Sequence, residues 1–126
     1  MALRGIRGAT VVREDKPELI LTATKELLSA IQKANPSLSV TDIASCIFTM
    51  TEDLRSEFPA KAARQMGWEG VPLMCAQEIP VANSLPKCIR VLVHWNTDLL
   101  AREINHVYLG EASILRPEFT ASQFGK

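Results

Sequence analysis

The most constraining stretch of this sequence is an apolar run, KCIRVLVHW at residues 87–95, with an arginine at its centre. Its length and its β-branched residues are typical of a strand in the middle of a sheet. Side chains alternate between the faces of a strand, so Arg90 shares a face with Cys88, Leu92 and His94. Neither face has the pattern of a solvated surface. Because a buried, unpaired guanidinium is strongly destabilising, we expect Arg90 to meet an anion.

The rest of the chain predicts an α+β domain. Residues 2–13 alternate like a strand, and a helix is expected from DKPE, with Asp15 as its cap and Pro17 in its first turn, to about Asn35. The apolar spacing predicts that one stripe of this helix is buried. The stripe consists of Ile20, Thr24, Leu27, Leu28 and Ile31.

Shorter segments complete a mixed sheet of about five strands. A helical turn is expected near residues 40–43, strands at 44–50, 71–78 and 106–109, and a short helix at 58–67. These give one long helix and one or two short ones. We expect a single domain at residues 1–118, followed by a flexible tail at 119–126.

Charge and cysteine usage exclude several classes of function. Fourteen basic side chains balance fourteen acidic ones, so no overall field attracts nucleic acid or an anionic membrane. No run is long and apolar enough to span a membrane, and the N-terminus is unlike a secretory signal. The three cysteines match no zinc pattern, which favours a reduced, cytoplasmic protein. His94 and His106 are too few and too far apart for a metal centre, so we expect no metal.

A set of cations in apolar or small-residue settings suggests an anionic ligand. Arg7 lies between Gly5 and Gly8, and Arg116 follows an apolar segment. Arginine binds carboxylates in a bidentate fork, so a small dicarboxylate would suit Arg7, Arg90 and Arg116. Each member also has a simpler explanation, such as a solvated edge for Arg7 or a carboxylate of the protein itself for Arg90.

Three further positions are candidates for the same site. Glu78 can accept a hydrogen bond from a ligand hydroxyl, or it can pair with Arg90. Tyr108 can donate to a carboxylate, or it can be a half-buried strand aromatic. Lys61 and Arg64 lie one helical turn apart, as they also would on an ordinary solvated surface.

Six motifs, in order, resemble the monofunctional chorismate mutases of the Bacillus type: RGIRGAT, FPAKAAR, CAQE, KCIRV, HVYL and LRP. The resemblance extends to about residue 118. It implies a cofactor-independent rearrangement of chorismate, a dicarboxylate, to prephenate in phenylalanine and tyrosine biosynthesis. It also implies a barrel-like homotrimer with sites between subunits.

The resemblance assigns roles to individual residues. Arg90 would face the ether oxygen of chorismate, on which negative charge grows in the transition state. Arg7 and Tyr108 would hold a carboxylate, and Glu78 with the Cys75 segment would hold the ring hydroxyl. The remaining expected contacts are apolar walls from Phe58 (of a neighbouring subunit), Leu73, Met74 and Leu115, and cations at the mouth from Lys61, Arg64 and Arg116. Met74 departs from the family pattern, since a threonine is expected there.

Two other functions remain open from the residues. One is a trimeric protein that binds a small carboxylate without converting it. The other is an imine deaminase of a similarly shaped trimeric family. The combination of Arg90, Glu78, Arg7 and Tyr108 favours the mutase, because a simple binder has no need of a cation at an ether oxygen.

Overall fold

The computed structural model describes residues 1–115, so Arg116 and the predicted tail at 119–126 lie outside the described part. Its elements confirm the predicted α+β composition. The strands are β1 (Ala2–Val11), β2 (Ile43–Met50), β3 (Leu73–Gln77), β4 (Cys88–Thr97) and β5 (Val107–Tyr108). The helices are α1 (Pro17–Ala34) and α2 (Pro59–Ala63), and a π-helical turn at Arg64–Trp68 continues α2. Short 3-10 turns lie at Val40–Asp42, Ala101–Glu103 and Gly110–Ile114. None of the described helices is long and apolar enough to cross a membrane.

The strands form one mixed sheet in the order β3-β2-β4-β1-β5. β4 is its central strand, as its apolar run predicted, and it pairs antiparallel with both β1 and β2. The outer pairs, β2 with β3 and β1 with β5, are parallel. A strand with partners on both sides needs all its backbone amides as hydrogen-bond donors, and proline lacks this donor. The β4 segment accordingly contains no proline, and no glycine to weaken it.

One face of the sheet packs against the helices. The side chains that β4 places on this inner face, Ile89, Val91, Val93 and Trp95, are almost completely buried. All five members of the predicted stripe on α1 are fully buried. The predicted amphipathic helix is therefore confirmed, and its stripe supplies much of the core.

The opposite face is largely uncovered, and we call it the open face; it carries Leu3, Arg7, Met74, Arg90 and Leu92. The 3-10 turn at Gly110–Ile114 packs over one end of it, against Ala9 and Cys88. Elsewhere Leu3 is 57% and Met74 66% exposed. The expectation that Arg90 lies in a dry environment was wrong for the single chain, since its side chain is 49% exposed. The reason is that α1 and α2 both cover the other face.

Asp15 does not cap α1, contrary to expectation. The cap position is Lys16, with no side-chain hydrogen bond. Instead, Oδ1 of Asp15 accepts hydrogen bonds from the backbone amides of Arg55 and Ser56 and from the Ser56 hydroxyl, at 2.8–3.0 Å. The loop before α2 offers three donors, which outcompete the helix terminus for one carboxylate. The hydrogen bond from the Arg55 amide, followed by that from the Ser56 hydroxyl, lowers the pKa of Asp15.

Gly8 allows α1 to lie close to the sheet. A Cβ atom there would lie 2.8 Å from Ile31 Cδ1, 3.0 Å from Val91 Cγ1 and 3.2 Å from Leu27 Cδ1. These contacts are shorter than packed carbon atoms tolerate. Absence of a side chain at Gly8 therefore sets the distance between the helix and the centre of the sheet.

We expect Gly8→Ala to lower the free energy of unfolding by about 1–3 kcal/mol, because the added methyl group overpacks the core. Gly70→Ala is the matched control, since a Cβ at Gly70 would meet no atom within 4 Å. Urea unfolding at one fixed protein concentration measures both variants. Equal stability of the two would contradict this account of Gly8.

The hydrogen bonds to Asp15 predict a pH-dependent contribution to stability. A lowered folded-state pKa means that the charged form stabilises the fold above about pH 4, and that this contribution is lost as the pH falls through the folded-state pKa. We expect wild type to be more stable than Asp15→Asn at neutral pH, and the difference to shrink as the pH falls below about 4 and through the folded-state pKa. Urea midpoints across this range test it, and a difference that persists unchanged in acid would argue against the charge.

Candidate active site

A row of paired residues crosses the open face and places Arg90 at its centre. Ala9 on β1 and Thr49 on β2 are the register partners of Arg90 on either side. Tyr108 pairs with Ala9 and Ala76 with Thr49, so the row continues to both edges of the sheet. Paired residues point to the same face. The small Ala9 and Ala76 leave room around the longer side chains of the row.

A cleft of about 330 Å³ opens over this row, and we call it the Arg90 cleft. It brings together five of the residues singled out in the sequence: Arg7, Glu78, Arg90, Tyr108 and Leu115. The other lining residues are Gly8, Ile47, Thr49, Val91 and Leu92. The cleft thus combines apolar walls with a few convergent polar groups, which is typical of a small-molecule site.

Glu78 is the acidic partner of Arg90 within the chain. Its Oε2 lies 3.6 Å from Nε of Arg90, and the two side chains are 26% and 49% exposed. This separation is longer than a good hydrogen bond, so the pair leaves hydrogen-bonding capacity on the guanidinium. Of the two roles left open for Glu78, pairing with Arg90 is observed, and it is compatible with contact to a ligand.

Thr49 is a residue of the cleft that sequence reasoning missed. Its hydroxyl donates a hydrogen bond to Oε2 of Glu78, the same oxygen that faces Arg90. Within the sequence, Thr49 is an ordinary strand residue 41 positions from Arg90. Only the register of β2 against β4 makes it a neighbour, and that register depends on strand order.

The strand that carries Arg7 is tied to the segment that carries Tyr108. The backbone amide of Arg7 donates to Nδ1 of His106 over 2.9 Å. Burial lowers the pKa of His106, which favours the neutral ring with an accepting nitrogen. His106 therefore helps to hold together β1 and β5, the two strands that bring Arg7 and Tyr108 to the cleft.

Tyr108 and Leu115 close the end of the cleft next to the 3-10 turn. Both pack against a small buried cluster of Ala9, Cys88 and Ala112. Burial raises the pKa of Cys88, and it raises that of Cys46 to about 12, with Cys75 adding a smaller effect. These two thiols are protonated at neutral pH and are packing groups rather than nucleophiles.

Several predicted contacts do not line the Arg90 cleft of one chain. Leu73 and Cys75 pack against the main core, because alternation along β3 directs them away from the face of Met74, Ala76 and Glu78. Cys75 and Phe58 instead border a second cleft of about 470 Å³. Met74 lies on the open face, outside the described lining.

The short helix α2 likewise does not line the Arg90 cleft. Lys61 is paired with Glu57 across 3.2 Å, so its charge is partly neutralised. Arg64 is exposed at the end of the same helix, and Phe58 before it is 64% exposed. The hydrogen bond from the Phe58 amide, then that from Lys61, lowers the pKa of Glu57. Arg116 lies outside the described residues.

Comparison with known proteins gives a consistent result. Residues 3–119 match the family model of chorismate mutase type I. The chain is 54% identical over 121 residues to chorismate mutase AroH of Thermus thermophilus, a match that covers 96% of this chain and 99% of that protein. It is 43% identical over 124 residues to chorismate mutase AroH of Bacillus subtilis, covering 98% and 97%.

A solved structure shares the fold. The chorismate mutase from Clostridium thermocellum superposes with a TM-score of 0.85 at 48% sequence identity. The superposition covers 87% of this chain and 97% of the other. The likeness therefore extends over most of this chain and nearly all of the other.

Proposed function

The chain belongs to the chorismate mutase type I family, and on that premise we propose that it converts chorismate to prephenate in the Arg90 cleft, for aromatic amino acid biosynthesis. The observation that carries the assignment of the cleft is the convergence of Arg90, Arg7, Glu78 and Tyr108 on one face of the sheet. These residues come from four different segments of the chain. The two arginines match the carboxylates and the ether oxygen of the substrate.

Arg90 supplies the electrostatic part of catalysis. The reaction breaks a C–O bond as a C–C bond forms, and negative charge grows on the ether oxygen. A cation fixed beside that oxygen stabilises the transition state more than the ground state, and only such differential binding accelerates the reaction. Glu78 restrains the guanidinium from the side of β3, so little reorganisation is needed when charge develops.

The remaining residues restrain the conformation of the substrate. Arg7 and Tyr108 grip a carboxylate, while Glu78 accepts a hydrogen bond from the ring hydroxyl. Leu115 forms part of the apolar wall. Because binding already holds the two reacting arms close together, less entropy is lost in the chemical step, and its activation free energy is lower. In this scheme no group of the protein transfers a proton or forms a covalent bond to the substrate. The scheme therefore requires no cofactor or metal.

The open face fits assembly into a homotrimer with sites between subunits. Arg90 is half exposed in the single chain, and the effect of its charge strengthens when water is excluded. Leu3, Met74 and Phe58 are large apolar side chains that are more than half exposed and would be buried by neighbouring copies. In this arrangement Phe58, Lys61 and Arg64 of one subunit reach the Arg90 cleft of the next, where the cations capture the substrate.

The edge strand β3 contributes in the same arrangement. Among the strands of residues 1–115, β3 has a partner on one side only, so some of its backbone groups are unpaired within that sheet. We assign Cys75 to the substrate hydroxyl through its backbone rather than its thiol, with Leu73 and Met74 as adjacent apolar surface. In this assignment no side-chain hydrogen bond is required at position 74, so a methionine there is compatible with activity. The three free cysteines support a cytoplasmic location, where thiols stay reduced.

Arg90→Ala should lower kcat/KM by roughly a hundredfold to a thousandfold, the range found on removal of a preorganised oxyanion donor. Arg90→Lys should also be severely impaired, because a point charge on a different stem does not reproduce the guanidinium fork. The measurement is the loss of chorismate absorbance with purified protein, without added metal or cofactor. Undiminished turnover by Arg90→Ala would refute this role, and chorismate binding without turnover by wild type would favour the binding protein.

Sites shared between subunits predict complementation between two impaired variants. Arg90→Ala and Arg64→Ala chains would be co-expressed with different tags, and the mixed oligomers isolated. If one site takes Arg90 from one subunit and Arg64 from its neighbour, each mixed trimer contains one site with both arginines intact. We expect activity well above that of either variant alone at low chorismate concentration. If each site were built from one chain, mixing would restore nothing.

A further inference from the structure

The carboxylate of Glu78 accepts a hydrogen bond from a neighbouring hydroxyl, that of Thr49. Thr49 lies directly beside Arg90 in the β2–β4 register, and it lines the same cleft. Its Oγ1 donates to Oε2 of Glu78, and that same oxygen lies 3.6 Å from Nε of Arg90. One carboxylate oxygen therefore joins Thr49 and Arg90.

The backbone of Glu78 is fixed, but its side chain needs a further restraint. Glu78 follows the last residue of β3, and its amide donates to the Met50 carbonyl over 2.9 Å. The chain then leaves the sheet through Ile79, which is 79% exposed. The glutamate side chain has three torsions and is partly in contact with water. A 3.6 Å ion pair alone would not select one orientation of it, since such partly exposed pairs are weak.

Thr49 has the properties required to supply that restraint. It is held in a strand with partners on both sides, and its β-branched side chain has restricted rotation about χ1. A hydroxyl that donates to a carboxylate makes a charge-assisted hydrogen bond, which is stronger than a neutral one. The threonine therefore fixes the position of Oε2 from a rigid part of the sheet.

We propose that Thr49 is a positioning residue: by holding Oε2 of Glu78 next to Arg90, it leaves Oε1 as the oxygen that accepts the substrate hydroxyl. Within residues 1–115, the Thr49 hydroxyl and Nε of Arg90 both contact Oε2 of this carboxylate. Thr49 thus sets the geometry of the acidic and the basic group together. The proposal deepens the proposed function and rests on it for the identity of the substrate.

The activity test compares substitutions that keep or remove the hydroxyl. Thr49→Val preserves the branched shape and should lower kcat/KM by roughly tenfold to a hundredfold, as for loss of a hydrogen bond to a charged group. Thr49→Ser keeps the donor and should stay within about threefold of wild type. Ser45→Ala is the matched control, since Ser45 lies on the same strand and bonds His94 instead, over 2.8 Å. If Thr49→Val and Ser45→Ala behaved alike, the proposal would be overturned.

A double-mutant cycle separates positioning from a general structural role. If Thr49 acts through Glu78, Thr49→Val in a Glu78→Ala background should change kcat/KM by less than about threefold. A full, additive loss in that background would show that Thr49 acts independently of Glu78.

The rotamer of Glu78 in crystal structures tests the role of Thr49 independently of the proposed function. Crystal structures of wild type and Thr49→Val should show Glu78 in one rotamer against Arg90 in the first and in several, or displaced, in the second. An unchanged, well-ordered Glu78 in Thr49→Val would overturn the positioning role whatever the substrate. Failure of wild type to convert chorismate would overturn the proposed function, and the rotamer comparison would still decide the role of Thr49.

Discussion

The side chains of β4 alternate between the buried inner face and the open face of the sheet, and this alternation determines both the core and the site. Ile89, Val91 and Val93 are buried against the helices, and Arg90 and Leu92 necessarily point the other way. A slip of one residue in the register would exchange the two sets, which would bury the guanidinium under α1 and expose the core residues. The free energy of burying the inner face therefore also holds Arg90 opposite Thr49 and Ala9. No further interaction is needed to set the strand register that the proposed catalytic geometry requires.

The charges of the described residues that line the Arg90 cleft do not balance one another. Among its described lining residues, Arg7 and Arg90 are positive and Glu78 is negative. Two cations on neighbouring strands repel each other, and one carboxylate offsets only part of that repulsion. A dianionic ligand would complete the pairing, so binding would be favoured by interactions that the fold has already arranged. The same imbalance explains how a chain with no net charge can bind an anion.

Sequence patterns predicted those features that depend on neighbours along the chain. The buried stripe of α1 and the central position of β4 followed from periodicity. Asp15 was assigned wrongly because its partners lie 40 residues away, in a loop whose position no local pattern reveals. The exposure of Arg90 was missed for a related reason, since alternation separates two faces but does not say which one the helices cover. The opposite orientations of Cys75 and Glu78 follow from their odd spacing, although Glu78 lies one residue beyond the end of β3.

The loop between β2 and α2 links the two halves of the proposed shared site. The backbone amide of Lys87 donates to both carboxylate oxygens of Asp53, at 3.0 and 3.1 Å. The backbone amide of Cys88 donates to the Thr51 hydroxyl over 2.9 Å. Lys87 has a φ of 48°, a conformation that is unfavourable for a residue with a side chain, so these contacts hold a strained entry into β4, three residues before Arg90. The same loop is bound to Asp15 at Ser56, just before Phe58. In a trimer, the loop would thus fix Arg90 for the site of its own chain and Phe58 for the site of the next, so each site would be positioned from two rigid ends.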